Sequence, residues 1–361
     1  MSIQTIHVRT DPEYDVVIGP GLLQECGARL KEVLPLCHMA VVTDSNVAPL
    51  YLERVESSLE RAGFQVSAYV FPAGEGSKDF DTLSDILEFL AREQLTRVDC
   101  VAALGGGVTG DMAGLAAAIY LRGVKYVQLP TTLLSAVDSS VGGKTAIDLK
   151  AGKNLAGAFL QPSAVLCDTD CLETLPPDVF ADGAAEAIKT AVLSDAALFN
   201  SMEDGGSMMV DPAAIIAECV KYKAGVVERD EKEQGERKLL NLGHTIGHAI
   251  EKCSDFTIPH GHAVAAGLAI MARASKRLGW MPEDGINAWT ADRICSTLHL
   301  TGLPISTEYS VEALAQAALS DKKRAGDTIT IVVPREIGAC ELKTIPVSEL
   351  RSVIEAGWAL E

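Results

Sequence analysis

In the first half of the chain, short apolar runs alternate with stripes of apolar residues at three- and four-residue spacing. Residues 39–43 (MAVVT) read as a strand ending at Asp44-Ser-Asn46, followed by a helical stretch to about residue 62. Residues 64–71 read as a second strand, and 82–93 as a helix whose Leu83, Ile86, Leu87 and Leu90 share one face. Residues 99–104 predict a strand, 105–110 a glycine-rich turn and 112–121 a small-residue helix; 126–129 then form a strand stopped by Pro130. Strands alternating with helices predict a parallel sheet with right-handed crossovers, over residues 1–177. From 178 to about 319 nearly every segment has helical periodicity. Residues 328–333 and 338–345 then predict a hairpin turning at 334–337. The expected class is α/β: a parallel-sheet domain followed by a mainly α-helical one at 178–361. The cleft between two such domains is the default place for a site.

Composition narrows the choices. The chain has 361 residues, with 31 Lys+Arg against 49 Asp+Glu and a net charge of −18. That balance argues against nucleic acid or an anionic membrane as main partner. No apolar run approaches the ~18 residues of a membrane span, since Asp99 and Asp111 interrupt the best stretch. The start lacks the basic-then-apolar order of a signal peptide, and nine scattered cysteines point to reduced thiols. A cytoplasmic enzyme is expected.

Three segments carry candidate chemistry. Residues 105–111, GGGVTGD, follow a strand and open a helix, so backbone N–H groups there could meet a pyrophosphate. No acidic residue ends a strand about 20 residues later, as the usual dinucleotide fingerprint requires. Asp44, ending an earlier strand, could instead grip a ribose; the alternative is a tight turn with close helix–sheet packing. Residues 138–148 and 152–154 place Lys144 and Lys153 beside Asn154, with Arg122 and Lys125 upstream, as an anionic ligand needs. Solvated surface lysines are the alternative. Asp138 stands where a P-loop needs its first glycine, which excludes a nucleotide triphosphatase.

Lastly, His244 and His248 lie at i, i+4 on one helix face, with His260 and His262 following. Two helical histidines plus a third from a loop can complete a divalent metal site if a carboxylate joins. Glu186, one turn before Lys189, is the candidate carboxylate; surface histidines and a solvated Glu–Lys pair are the alternative. Arg237 and Asn241, one turn apart, extend the same face, with Lys221 and Lys223 upstream. Together these residues describe a metal-assisted enzyme acting on a polyanionic, hydroxyl-bearing substrate with a dinucleotide nearby.

These motifs resemble the 3-dehydroquinate synthases: Glu75 and Lys78 in PAGEGSK, GGGVTGD, the long block at 122–159, AEAIK, RKLLNLGHTIGHAIE, HGHAVAAG and Asp321-Lys-Lys. The resemblance covers roughly residues 40–340. It implies a Rossmann-like NAD-binding domain, a helical metal- and substrate-binding domain, and a homodimer. It also implies conversion of 3-deoxy-D-arabino-heptulosonate 7-phosphate to 3-dehydroquinate and phosphate in the shikimate pathway. The steps would be transient oxidation by NAD, β-elimination of phosphate, re-reduction, ring opening and an intramolecular aldol reaction.

By motif position, Glu186, His244 and His260 would hold zinc or cobalt. Asp44, Asn46, Glu75, Lys78, Gly106, Gly107, Val108, Asp111, Thr131, Thr132, Asp138, Ser139, Lys144, Lys153, Cys171, Thr174 and Leu175 would line the NAD site. Catalytic roles fall to Arg122, Asp138, Lys144, Lys189, Asn241 and His248, and substrate binding to Lys153, Asn154, Lys223, Arg237 and Lys322. Arg122 would reach into the partner subunit's site. Two departures are His262, where the family usually has Glu, and Cys171, where Phe is commoner. The alternatives are sister cyclases making amino-dehydroquinate, deoxy-inosose or valiolones, then a metal-dependent polyol dehydrogenase, and least a non-catalytic sugar-phosphate binder.

Overall fold

The computed structural model describes residues 3–205, 207–319 and 324–358. The chain divides into two compact units, one of residues 1–175 with 223–231, the other of 176–222 with 232–361.

In the first unit the strands are β1 (Gln4–Val8), β2 (Tyr14–Gly19), β3 (His38–Asp44), β4 (Gln65–Phe71), β5 (Cys100–Gly105), β6 (Lys125–Pro130), β7 (Lys144–Leu149), β8 (Gly152–Phe159) and β9 (Val165–Asp168). Its helices are α1 (Leu22–Val33), α2 (Glu53–Ala62), α3 (Phe80–Arg92) and α4 (Gly107–Ile119). Seven strands form one sheet in the order β1-β2-β9-β6-β5-β3-β4. All neighbours run parallel except the edge pair β1–β2. β3 and β5 read as continuous apolar runs because apolar clusters cover both faces of the sheet. One cluster joins Leu23, Leu30 and Leu59 to Val41 and Ala102; the other joins Ile86, Leu90 and Met112 to Val42 and Ala103. α3 starts where Asp79 accepts from the Thr82 N–H at 2.9 Å, and α2 stops at left-handed Gly63.

The second unit holds α5 (Pro177–Ser194), α6 (Ala196–Asn200), α7 (Ser207–Val210), most of α8 (Pro212–Arg229), α9 (His244–Cys253), α10 (His260–Arg277), α11 (Thr290–Leu300), α12 (Val311–Ala318) and α13 (Leu350–Gly357). A three-stranded antiparallel sheet, β10 (Arg324–Ala325), β11 (Thr328–Glu336) and β12 (Ala339–Pro346), joins them. Ile246, Ile250, Ile270 and Met271 pack against Ile329, Ile331 and Ile354 as its core.

The α/β class stands, with three local corrections. α4 begins at Gly107, not 112, because the glycines close directly from β5 into the first helical turn. Pro334 lies inside β11 opposite Cys340, beside a bulge, and not in the turn. The antiparallel β7–β8 hairpin and the edge pair β1–β2 carry no periodic signal long enough to read.

Candidate functional site

In the second unit, the small residues around Glu186 on α5 let neighbouring backbones close over it. Glu186 is fully buried and Lys189, one turn on, is 1% exposed; their side chains form a close ion pair. A solvated Glu–Lys pair is therefore excluded. Apart from the Lys189 ammonium, no backbone N–H or hydroxyl among the described residues donates to either carboxylate oxygen of Glu186. α9 starts at His244 behind Gly243, which is left-handed (φ 79°). It crosses α10 so tightly that a Cβ on Gly267 would lie 2.3 Å from the Gly243 carbonyl. That contact gathers three imidazoles, with ring centroids 5.2 Å apart for His244–His260, 5.4 Å for His244–His248 and 6.0 Å for His248–His260.

The Nε2 atoms of His244 and His260 each lie 3.5 Å from Glu186 Oε1. On the far side of each ring an acceptor meets Nδ1: the Leu242 carbonyl for His244 at 3.1 Å and the buried Glu251 carboxylate for His260 at 3.3 Å. Such acceptors favour the tautomer with a proton on Nδ1 and a lone pair on Nε2. A buried carboxylate without backbone donors and two converging Nε2 atoms fit a divalent metal that keeps open positions. Burial pushes Glu186 upward, but the Lys189 ammonium and His260 pull it down to about 2. Burial also disfavours charge on His260, yet Glu186 and Glu251 raise it to about 10.

Arg237 and Asn241 do not extend the α9 face. They lie on a separate 3₁₀ turn, Glu236–Asn241, whose three residues per turn put positions four apart on different sides. Arg237 is 1% exposed, and Asn241 Nδ2 donates to Glu233 at 2.8 Å. Sequence reading missed Glu233 and Glu251. Glu251 was findable, standing seven residues after His244 on the same helical face. His262 bonds to Asp182. Lys322 and its neighbours Asp321 and Lys323 lie outside the described residues.

The nucleotide-type residues fall in the first unit, at the carboxyl ends of its parallel strands. α4 has Gly106 at its N-cap and no side-chain cap, so its first N–H groups and helix dipole suit an anion. A Cβ on Gly106 or Gly107 would crowd Thr132 or Ser139, at 3.1 and 3.2 Å, so these positions also serve close packing. Asp44 accepts from the N–H groups of Asn46 and Val47 and from the Thr109 hydroxyl, tying the end of β3 to α4. Thr131 follows β6, and Thr132 forms a turn with Ser135. Asp138, with Ser139, sits on the next turn and holds Lys223, which pairs with its carboxylate and its carbonyl, both at 2.6 Å. The Tyr51 hydroxyl bonds Thr174 and the Cys171 carbonyl, just before Leu175.

Buried Lys78 ties the remaining groups together. Its ammonium meets Asp111 and the Asn154 side-chain oxygen, both at 2.6 Å, and Glu75 at 3.9 Å; Lys153 lies 3.7 Å from Glu75. Burial pushes the Asp111 carboxyl upward even with Lys78 beside it. Asn154 is left-handed (φ 54°), with its N–H donating to Asp148. Lys144 opens β7 and is exposed; Arg122, also exposed and left-handed (φ 68°), ends a 3₁₀ turn after α4.

A parallel-sheet unit with an uncapped helix behind a glycine turn, and a helical unit with a buried Glu–His–His set, define a class of two-unit proteins equipped for both a nucleotide and a metal. Residues 68–182 match the family 3-dehydroquinate synthase N-terminal, and residues 183–324 match 3-dehydroquinate synthase C-terminal. The chain belongs to the 3-dehydroquinate synthase family. It is 46% identical to a 3-dehydroquinate synthase of Caulobacter vibrioides (strain NA1000 / CB15N), over 90% of each chain. It is 40% identical to that of Enterococcus faecalis (strain ATCC 47077 / OG1RF), over 94% of this chain and 95% of the other. Its fold is similar to 2-deoxy-scyllo-inosose synthase complexed with carbaglucose-6-phosphate, NAD+ and Co2+, at a TM-score of 0.85 and 25% identity, over 97% of this chain and 99% of that one. Among the described residues no helix is long and apolar enough to cross a membrane.

Proposed function

We propose that the chain converts 3-deoxy-D-arabino-heptulosonate 7-phosphate to 3-dehydroquinate and phosphate, using and restoring NAD. Beyond family membership, the observation that carries this reading is the convergence of the His244 and His260 Nε2 atoms on the buried Glu186 carboxylate. Glu186, His244 and His260 would hold zinc or cobalt, which supplies Lewis acidity toward substrate hydroxyls. The loop at 105–111 with Asp44, Asn46, Glu75, Lys78, Asp111, Thr131, Thr132, Ser139, Cys171, Thr174 and Leu175 would hold NAD, which accepts and returns a hydride.

The chain's other residues bind, orient and shield. Buried Arg237 offers a fixed guanidinium for a substrate carboxylate, with Asn241 as neutral donor, held by Glu233. Lys144, Lys153, Asn154, Lys223, Lys322 and Arg122 supply cations and donors for the phosphate, which leaves once the neighbouring C–H is acidified. Lys189 keeps Glu186 ionised and offers a donor to a hydroxyl. His248, beside the metal set, faces the substrate and carries no metal. Asp138 holds Lys223. Positioning and electrostatics make up most of the contribution.

The protein works in the cytoplasm as a homodimer, with Arg122 acting across the subunit boundary. Likeness to 2-deoxy-scyllo-inosose synthase favours a sister cyclase as the second reading. The test is to supply the heptulosonate phosphate with NAD far below substrate. Many turnovers, each releasing one phosphate with no lasting NADH absorbance, are expected. NADH accumulating in step with substrate loss, without phosphate, would overturn the reading. Phosphate released only from glucose 6-phosphate would favour a sister cyclase.

A further inference from the structure

The first turn of α10 carries His260, and nothing on α10 itself caps it. Its N-cap is Pro259, which has no side-chain acceptor. The missing acceptor comes from another helix. Asp182 Oδ1 on α5 receives the backbone N–H of His262 at 3.0 Å, the third helical position that a capping side chain ordinarily serves, and lies 3.1 Å from His262 Nδ1. The two backbones touch here, since a Cβ on Gly261 would fall 1.9 Å from the Asp182 carbonyl. Asp182 lies one helical turn before Glu186, and His262 two residues after His260.

We infer that Asp182 is a positioning residue for the metal set. It caps α10 from α5 and, through His262, holds His260 against Glu186 at ligand spacing. The inference rests on the proposed Glu186–His244–His260 metal site. A negative charge at a helix N-terminus is also favourable to the dipole, so the same carboxylate serves both elements. His262 completes the device, because its ring can donate to Asp182 where a carboxylate in its place would repel it.

The test measures metal affinity in the absence of substrate. Purified protein is stripped with a chelator and titrated with zinc against a competing chelator, and separately with cobalt(II) to record its visible absorption. Asp182→Ala should bind zinc about 10- to 100-fold more weakly, as loss of groups that orient metal ligands does, with an altered cobalt spectrum. Asp182→Asn, which keeps the accepting oxygen, should restore most of the affinity. His262→Ala should show a smaller loss, and it carries the test should Asp182→Ala not fold. Folded Asp182→Ala, or failing that His262→Ala, with wild-type affinity and spectrum would overturn the inference; so would Asp182→Asn binding as weakly as Asp182→Ala. Glu186→Gln separates the two ideas. If that variant, too, binds zinc like the wild type, the metal site itself is wrong; if it alone loses zinc, only the role of Asp182 falls.

Discussion

Two buried carboxylates, one in each unit, differ in what meets their oxygens, and that difference separates a structural acid from a candidate ligand. Asp168, ending β9, is 3% exposed and takes the N–H groups of Gly21, Leu23 and Asp170 at 2.9, 2.8 and 3.1 Å. Glu186 on α5 is more deeply buried and takes no backbone N–H, its carboxylate meeting the Lys189 ammonium instead. Three amide dipoles do not outweigh burial at Asp168, whose pKa stays above the ordinary carboxylate value. The full charge of Lys189 does so at Glu186, bringing it to about 2. Asp168 has spent its lone pairs on backbone and ties α1 to the sheet. Glu186 keeps its lone pairs facing two imidazole nitrogens, held ionised by a cation that cannot itself be a ligand while protonated. Burial alone does not mark a candidate site; a buried charge whose lone pairs the backbone leaves open does.

The largest effect should come from breaking the open member. Glu186→Gln keeps the shape but removes the charge, so the purified variant should retain essentially no metal and lose more than ~100-fold in phosphate release. Metal analysis per chain decides this. One ion retained would make Glu186 a structural acid like Asp168. His248→Ala sharpens the same comparison: it should keep its metal yet lose ~10- to 100-fold in turnover, as an imidazole on the substrate side would. Metal loss equal to that of His244→Ala would make His248 a ligand.

The closed member should behave in the opposite way. Asp168→Ala leaves the buried Leu23 N–H without an acceptor and the Gly21 N–H with Asp170 alone, which should cost about 1–3 kcal/mol in urea unfolding. Metal content should stay at the wild-type level. A variant as stable as the wild type would show that these amides find other partners.

The sequence made local patterns legible and left tertiary pairings hidden. β3, β5 and α3 were readable because their apolar spacing is contained within each segment. His244 and His248 were readable because four residues make one helical turn. The β7–β8 hairpin was not, since its glycines, lysines and alanines alternate without an apolar face. Arg237 and Asn241 misled because the same spacing of four means one thing in an α-helix and another in the 3₁₀ turn that holds them. Asp182 with His262, and Glu251 with His260, lie 80 and 9 residues apart, and only the packing of α5, α9 and α10 brings them together. The family resemblance implied a ligand set that spacing left open, while the carboxylates beside His260 and His262 emerged from the fold.

The smallest effect concerns Asp99, a second closed acid in the first unit. It receives the His38 N–H at 2.8 Å, the Thr96 N–H at 2.6 Å and the Thr96 hydroxyl at 2.7 Å, pinning the start of β3 to that of β5. Burial opposes its charge, but the Thr96 and His38 donors prevail and hold its pKa below the ordinary value of 3.8. A native pKa below the unfolded one means that the unfolded chain binds more protons in that window, so stability rises with pH there. The contribution is complete above about pH 4 and fades as pH falls through the native value. Asp99→Asn removes this titration and should cost about 1 kcal/mol at pH 7. The gap between variant and wild type should then narrow as unfolding is repeated from pH 5 down to pH 3. A gap constant over that range would show that Asp99 stabilises by shape and hydrogen bonding alone, with its charge contributing nothing.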